Sequence, residues 1–303
     1  MRHGQNRFIV GFLVLPLALY AVFVISPFVQ AFYYSLTNWT GVSPTFDFVG
    51  LQNFQTLTQD SLFLRAVRNN LVLLVVMPLT VILLALFYAF LLNVGGAGSG
   101  VGVKGVRGSG FYKLALFMPQ VLSVPVIAVI WAVILDPTPN GLVNSAMRRV
   151  GFGGSEWLAD PNLALYCVLW VLVWGSVGFY LVLFNAAMSS VPRDIYEAAV
   201  IDGAGRVATF FRVTIPLLWD TIQTSWVYLA ILALDVYALV AVMTPGPGGP
   251  ANSTQVISLQ IAQNGFQFGR AGYASAMGVV LFFFTLIIAT IMLRATRRQR
   301  IEY

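Results

Sequence analysis

Six stretches of this chain, at about 8–36, 69–93, 111–135, 162–188, 216–243 and 270–293, are each long and apolar enough to cross a bilayer as a helix. The threshold is ~20 predominantly apolar residues. The rest of the chain offers no soluble alternative. Only 9% of its 303 residues are charged and 58% are hydrophobic, whereas soluble domains carry about a quarter charged residues. The apolar runs are continuous rather than alternating, which excludes a transmembrane β-barrel. The expected architecture is all-α, a polytopic membrane protein with six transmembrane helices. No segment between the spans is long enough to fold alone, so residues 1–303 read as a single transmembrane domain. The first stretch is too long for a signal peptide, and no small-residue cleavage site follows it.

Two of the spans carry a pair of prolines each. Pro16 and Pro27 fall in the first, Pro119 and Pro125 in the third. Proline at membrane depth frees backbone carbonyls that protein or water must satisfy, so the third span is expected to be a kinked, interior-facing helix. Polar, turn-rich segments cover 37–65, 136–160 and 244–269, the last opening Pro-Gly-Pro-Gly-Gly-Pro. Residues 94–110 are glycine-rich and carry Lys104 and Arg107. This is a flexible connector. A phosphate-binding loop needs Gly-Lys-Ser/Thr at the start of a helix, and Lys104 is followed by Gly105. No such motif occurs elsewhere, so the chain is expected to bind no ATP and no other cofactor itself.

Basic residues are divided unequally between the two sides. The side of the N-terminus, the connector, the 191–215 loop and the C-terminus holds 12 Lys and Arg, and the other side holds five: Arg65, Arg68, Arg148, Arg149 and Arg270. The positive-inside rule then places both termini and the 191–215 loop in the cytoplasm. The formal charge of +6 serves topology rather than nucleic-acid binding. The lone cysteine, Cys167, sits in a span, and the single histidine, His3, is at the N-terminus, so neither supports a metal or catalytic centre.

One polar stretch stands out, 191–218, between the fourth and fifth spans. It carries Arg193, Asp194, Glu197, Asp202, Arg206 and Arg212 in a chain with only 17 basic and 11 acidic residues. Pro192 followed by Asp194 and Glu197 reads as a helix start, with acids near the positive end of its dipole. Ala198 and Ala199 allow close approach of another surface, and Gly203 and Gly205 break the helix. A second short helix, 206–212, is expected to lead through Thr214 and Pro216, as cap and first-turn proline, into the fifth span. The stretch is either a docking surface or an amphipathic helix resting on lipid headgroups.

The run Glu197-Ala198-Ala199, Ile201-Asp202-Gly203-Ala204, Phe210 and Val213-Thr214-Ile215-Pro216 resembles the EAA motif of ABC-importer permeases, in the branch that takes up carbohydrates. Val213 and Ile215 depart mildly from the usual Ile and Leu. Phe48–Phe54, Pro119, Trp131, Gly141 with Asn144, Trp157–Pro161, Pro192, Gly248-Gly249-Pro250 and Gly272–Ala276 follow in the order that family has. The resemblance covers nearly the whole chain. It implies that Asp194, Glu197, Ala198, Ala199, Asp202, Gly203, Phe210 and Pro216 form a coupling element seated on a separate cytoplasmic ATPase. Asp202 has a second reading, as cap of the following helix. The implied partners are a second homologous permease, two ATPase subunits that hold ATP and Mg2+, an extracytoplasmic solute-binding protein and the bilayer of a prokaryotic inner membrane. No enzymatic activity is implied for the chain itself.

Asp235 lies inside the fifth span. An intramembrane carboxylate is costly and marks function by default. It reads either as lining the pathway or meeting a polar group of the neighbouring permease, or as a structural hydrogen bond between helices, with Arg68 a distant candidate partner. Trp174, Tyr180 and Asn185 on the fourth span and Gln223, Trp226 and Tyr237 on the fifth are the other pathway candidates. Gln223 and Tyr237, roughly four turns apart, are expected to share a face. Gln260, Asn264 and Gln267 are softer candidates. Each aromatic also has an ordinary reading, since tryptophan and tyrosine crowd membrane interfaces. A neutral sugar or oligosaccharide suits spans without fixed charge. Alternatives are a polyol phosphate or nucleoside carried by the same family, or a stand-alone secondary transporter, which would need paired ionisable residues at mid-membrane.

Overall fold

The computed structural model describes residues 2–94, 106 and 108–295. Lys104 and Arg107 of the glycine-rich connector, and Arg297, Arg298 and Arg300 of the tail, lie outside them. Helices dominate the described residues, and the β content is one isolated bridge between Thr37 and Phe48.

The first apolar stretch forms α1 (Arg2–Tyr20), a π-helical turn (Ala21–Ile25) and α2 (Ser26–Tyr34). After α3 (Gln52–Gln59) comes α4 (Ser61–Val94), 34 residues in one helix. The third stretch breaks into α5 (Ser109–Phe117), a 3-10 turn (Met118–Val121) and α6 (Val124–Ile134). The surface helix α7 (Leu142–Arg149) precedes α8 (Ala164–Ser190). The charged loop holds α9 (Arg193–Ile201) and α10 (Arg206–Thr209), followed by a π turn (Phe210–Thr214) and α11 (Ile215–Leu217). The fifth stretch continues as α12 (Trp219–Leu234) and α13 (Tyr237–Met243). The chain ends in α14 (Ile257–Ala262), a π turn (Gln263–Gln267) and α15 (Ala271–Ala295).

Four helices among these residues can cross a membrane unaided: Gly11–Tyr34, Ser61–Leu92, Ala164–Ser190 and Ala271–Met292. Two bent pairs bring the number to six if each pair is one span. Ser109–Val121 and Val124–Ile134 meet at 101°, and Arg206–Leu217 and Trp219–Leu234 at 67°. The expected kink of the third span is therefore close to a right angle. Pro119 and Pro125 both lie at the break, where each removes a donor from the helical ladder.

Two of the π turns have a common cause. A proline clashes with the carbonyl four residues before it. For Pro27 that carbonyl belongs to Phe23, the middle of the Ala21–Ile25 turn. For Pro216 it belongs to Arg212, the middle of the Phe210–Thr214 turn. Widening the turn carries the carbonyl away and lets the helix run on. This corrects the expectation that Thr214 caps the fifth span. Thr214 is helical (φ −63°, ψ −54°), and the bend comes at Leu218, where α12 begins.

The chain divides into two compact units, Met1–Leu64 with Gln260–Phe284, and Arg65–Leu259 with Thr285–Tyr303. In the first, Phe28 and Phe32 pack edge-on or tilted against Phe282 and Phe283 at 5.8–5.9 Å. Gly272 lets α15 meet the chain at Thr37, whose carbonyl would overlap a Cβ there. In the second, the core is built from Leu73, Met77 and Val81 of α4, Val168, Leu181 and Phe184 of α8, and Leu229, Leu239 and Val240 of α12 and α13. Gly178 on α8 lies against the Leu116 carbonyl at the end of α5, so close that a Cβ would overlap it.

Candidate functional site

The residues that carry the motif form a small, self-closed element. Pro192, in extended conformation (φ −54°, ψ 139°), precedes α9, and Asp194 stands in its first turn. At the other end Gly203 takes the left-handed conformation (φ 76°). The Ala204 N–H then reaches the Ala199 carbonyl (2.9 Å), and the Gly203 N–H reaches the Val200 carbonyl (3.0 Å). This pair of bonds satisfies carbonyls that a helix end leaves bare. The string Ala-Ala-Val-Ile-Asp-Gly-Ala is thus a helix with its own stop. Asp202 is the last residue of this helix end, and α10 starts after Gly205. Asp202 therefore does not cap α10, which removes its second reading.

The two faces of the element differ. Ala199 is buried, whereas Asp194, Glu197, Ala198, Asp202 and Gly203 are exposed. None of the three carboxylates makes a hydrogen bond or ion pair among the described residues. Beside them Val200, Ile201, Val207 and Phe211 are also exposed, Ile201 at 84%. Exposed aliphatic groups next to unpaired carboxylates leave both apolar area and charge available to a partner. Phe210 is the anchor. It is 5% exposed and its ring lies 4.8 Å from that of Phe90 on α4. Pro216 is half-buried and sets the π turn beneath it. The element is thus joined through one aromatic contact and one continuous helical turn to α4 and α12.

The pathway candidates are scattered over the second unit. The Trp174 ring meets Trp131 of α6 edge-on at 5.3 Å. Tyr180 is 6% exposed and belongs to the apolar core. Asn185 accepts a hydrogen bond from Lys113 Nζ (2.8 Å), tying α8 to α5. Gln223 and Trp226 are half-buried on α12, and the Trp226 indole N–H is buried with no partner. Tyr237 is exposed on α13. The helix breaks between Leu234 and Tyr237. That break ends the 3.6-residue phase, so the expectation that Gln223 and Tyr237 share one helix face does not hold.

Asp235 lies in this break (φ −110°, ψ 66°). It is exposed, and its carboxylate makes no hydrogen bond or ion pair among the described residues. Among the described residues, neither Arg68 nor a hydrogen bond between helices pairs with it. In the first unit, Asn264 donates to the Gln260 carbonyl and side chain, and both residues are buried. Gln267 is exposed.

Residues that the sequence reading did not single out hold the break open. Asn70 is fully buried; its amide N–H2 donates to the Ala233 carbonyl (3.2 Å), and its oxygen accepts from the Ile257 N–H (2.8 Å). Asn69 donates to the Ser253 and Gln255 carbonyls, both at 2.8 Å, and Arg65 donates to the Ala251 carbonyl. The loop after α13 needs this support. Gly248 and Gly249 have positive φ, and a Cβ on either would collide with Gln255 or Thr254. The signal that could have revealed Asn69 and Asn70 is two adjacent amides opening an apolar span. A similar amide organises the loop before α8. Asn144 accepts from Trp157 Nε1 (2.8 Å) and the Ser155 N–H (3.0 Å), and donates to the Ser155 carbonyl (2.9 Å). Nearby, the Thr138 hydroxyl and backbone N–H donate to Asp136 and hold its carboxyl below the usual carboxylate range.

An all-helical, multi-pass chain carrying this loop and these buttresses defines a class. A family model described as "Binding-protein-dependent transport system inner membrane component" matches residues 65–301, and the chain belongs to that family. Among its relatives, the diacetylchitobiose uptake system permease protein NgcF of Streptomyces coelicolor is 42% identical over 293 residues, 96% of this chain and 82% of the relative. The multiple sugar-binding transport system permease protein MsmF of Streptococcus mutans is 32% identical over 289 residues, covering 95% and 94%. A crystal structure of a bacterial alginate ABC transporter in complex with alginate pentasaccharide-bound periplasmic protein shares the fold. Its TM-score is 0.81 at 22% identity, with 97% and 96% of the two chains covered. The resemblance read from the EAA-like run is therefore borne out at the level of the family.

Proposed function

We propose that this chain is the permease subunit of an ATP-driven importer, forming half of the translocation pathway for a sugar or oligosaccharide. The observation that carries the coupling part is α9, self-closed at Gly203, exposed at Glu197 and Asp202, and anchored to α4 by Phe210. The names of the diacetylchitobiose and multiple-sugar relatives support the solute class. In this reading each bent pair is one span, so the chain forms one six-span domain with both termini and the α9 loop in the cytoplasm. A second homologous permease completes the pathway, two ATPase subunits bind ATP and Mg2+, and an extracytoplasmic protein delivers the solute.

The mechanism is alternating access. Closure of the ATPase dimer pushes α9. The push passes from Phe210 to α4 and through the Phe210–Leu217 turns to α12, which rock and open the pathway outward. Hydrolysis resets them. Asp235, Gln223, Trp226 and Tyr237 supply polar and aromatic contacts along the path, and the chain itself forms no covalent bond. The test is to purify the chain with its partner subunits in lipid nanodiscs and measure ATP hydrolysis against a panel of solute-loaded binding proteins. Stimulation by a saccharide-loaded protein is expected. Stimulation only by a non-saccharide solute would overturn the substrate class.

A further inference from the structure

We infer that the first unit carries a saccharide-binding cleft of its own, apart from the pathway along the spans. The cleft, about 550 Å³ in volume, is bordered by Trp39, Thr40, Gln59, Asp60, Arg270 and Tyr273. Its size falls within the ~300–1,000 Å³ of small-ligand sites.

The chemistry of its wall separates support from recognition. One side of the Trp39 indole stacks on Tyr34, centroids 4.1 Å apart at 25°, and its N–H is spent on the Ser43 carbonyl. The indole is held flat by this contact and by Phe46, which meets it edge-on at 6.3 Å, and it stays partly exposed. Asp60 is locked in place. Oδ1 accepts from the N–H groups of Leu62 (2.9 Å) and Phe63 (3.2 Å), and Oδ2 accepts from the Tyr273 hydroxyl (2.7 Å). Two side chains remain unspent. The exposed Arg270 guanidinium and the exposed Gln59 amide make no hydrogen bond or ion pair among the described residues.

A flat aromatic platform beside a fixed carboxylate, a guanidinium and a primary amide is the donor and acceptor set that binds the apolar face and the hydroxyls of a pyranose. Asp60 and Arg270 cancel in charge, which favours a neutral saccharide over an acidic one. The volume admits one or two sugar rings. Under the topology proposed above, on which this inference rests, residues 38–60 and 269–273 lie outside the cytoplasm, where solute arrives. Its role is to hold one end of an oligosaccharide on that side of the membrane.

The test is a saturation-transfer NMR titration of the complete transporter in nanodiscs, without the solute-binding protein. The probes are diacetylchitobiose and cellobiose as neutral disaccharides and digalacturonate as an acidic one. Saturable binding of a neutral probe is expected, weakened about tenfold or more by Trp39→Ala, the scale of one lost stacking contact. Arg270→Gln should weaken it too, whereas Trp39→Phe should retain most of it. Co-elution of each variant with its partners on size exclusion separates loss of binding from loss of assembly. Equal affinity of the assembled variants and the wild type, or a preference for digalacturonate, overturns the inference. If the wild type binds no probe while a saccharide-loaded binding protein still stimulates hydrolysis, the cleft falls and the transport reading stands. If neither occurs, both fall.

Discussion

Asn70 shows how much a single amide can carry inside a membrane. A helix end in hydrocarbon exposes backbone groups that water does not reach, and each costs several kcal/mol if left bare. The break at Asp235 frees the Ala233 carbonyl, and the start of α14 frees the Ile257 N–H. Asn70 satisfies both. Asn70→Leu leaves two buried groups unpaired and is expected to cost about 2–6 kcal/mol, at 1–3 per group. Asn70→Asp, protonated at this buried position, keeps an acceptor for Ile257 and one O–H for the Ala233 carbonyl at a changed geometry, so at acidic pH it should fall between leucine and wild type. Thermal unfolding in detergent reads the order, and equal midpoints for all three proteins would contradict it. The sequence hides this role because the partners of Asn70 lie 163 and 187 residues away. Asp235, by contrast, announces itself as an acid in the middle of an apolar span.

At the scale of elements, α9 was legible almost residue by residue. Proline before the first turn, acids at the start and glycine at the stop are local signals, and the bonds they set are local too. Gly203 matters for its backbone and not for space, since no atom lies within 4 Å of a Cβ built there. A β-branched residue at φ 76° is strained by ~1–2 kcal/mol or more, whereas asparagine tolerates this conformation. Gly203→Val is therefore expected to abolish binding-protein-stimulated ATP hydrolysis, and Gly203→Asn to preserve most of it. Glu197→Lys should also abolish stimulation while the protein still inserts, because it reverses the charge at an exposed position of the proposed docking face. Persistence of stimulation in Glu197→Lys and Gly203→Val would refute the coupling role. The bends were less legible. Pro119 and Pro125 announced a disturbed span but not a 101° turn, whose size depends on how α6 packs onto α13. The Phe210–Thr214 turn shows the same limit, since Pro216 can either start a helix or be absorbed by widening the one it is in.

At the scale of the whole molecule, Asp235 sits in the break between α12 and α13, and its carboxylate makes no hydrogen bond or ion pair among the described residues. A pathway role predicts that Asp235→Ala lowers solute uptake in reconstituted vesicles far more than it lowers the yield of assembled transporter. The opposite pattern would mean that the carboxylate serves assembly. Composition determined that the chain is membrane-embedded, because so few charges cannot make a soluble surface, and the continuous apolar runs determined that it is helical. Short-range spacing determined the α9 element and the family, because a helix, its start and its stop are written within one stretch of chain. Tertiary structure decided what depends on distant partners. It brought Asn69 and Asn70 to the loop after α13, broke the fifth span at Asp235, buried Tyr180, and assembled the cleft from residues 38–60 and 269–273. Those choices turn on which buried polar group finds a partner and which backbone atoms can touch, and neither is encoded in local sequence.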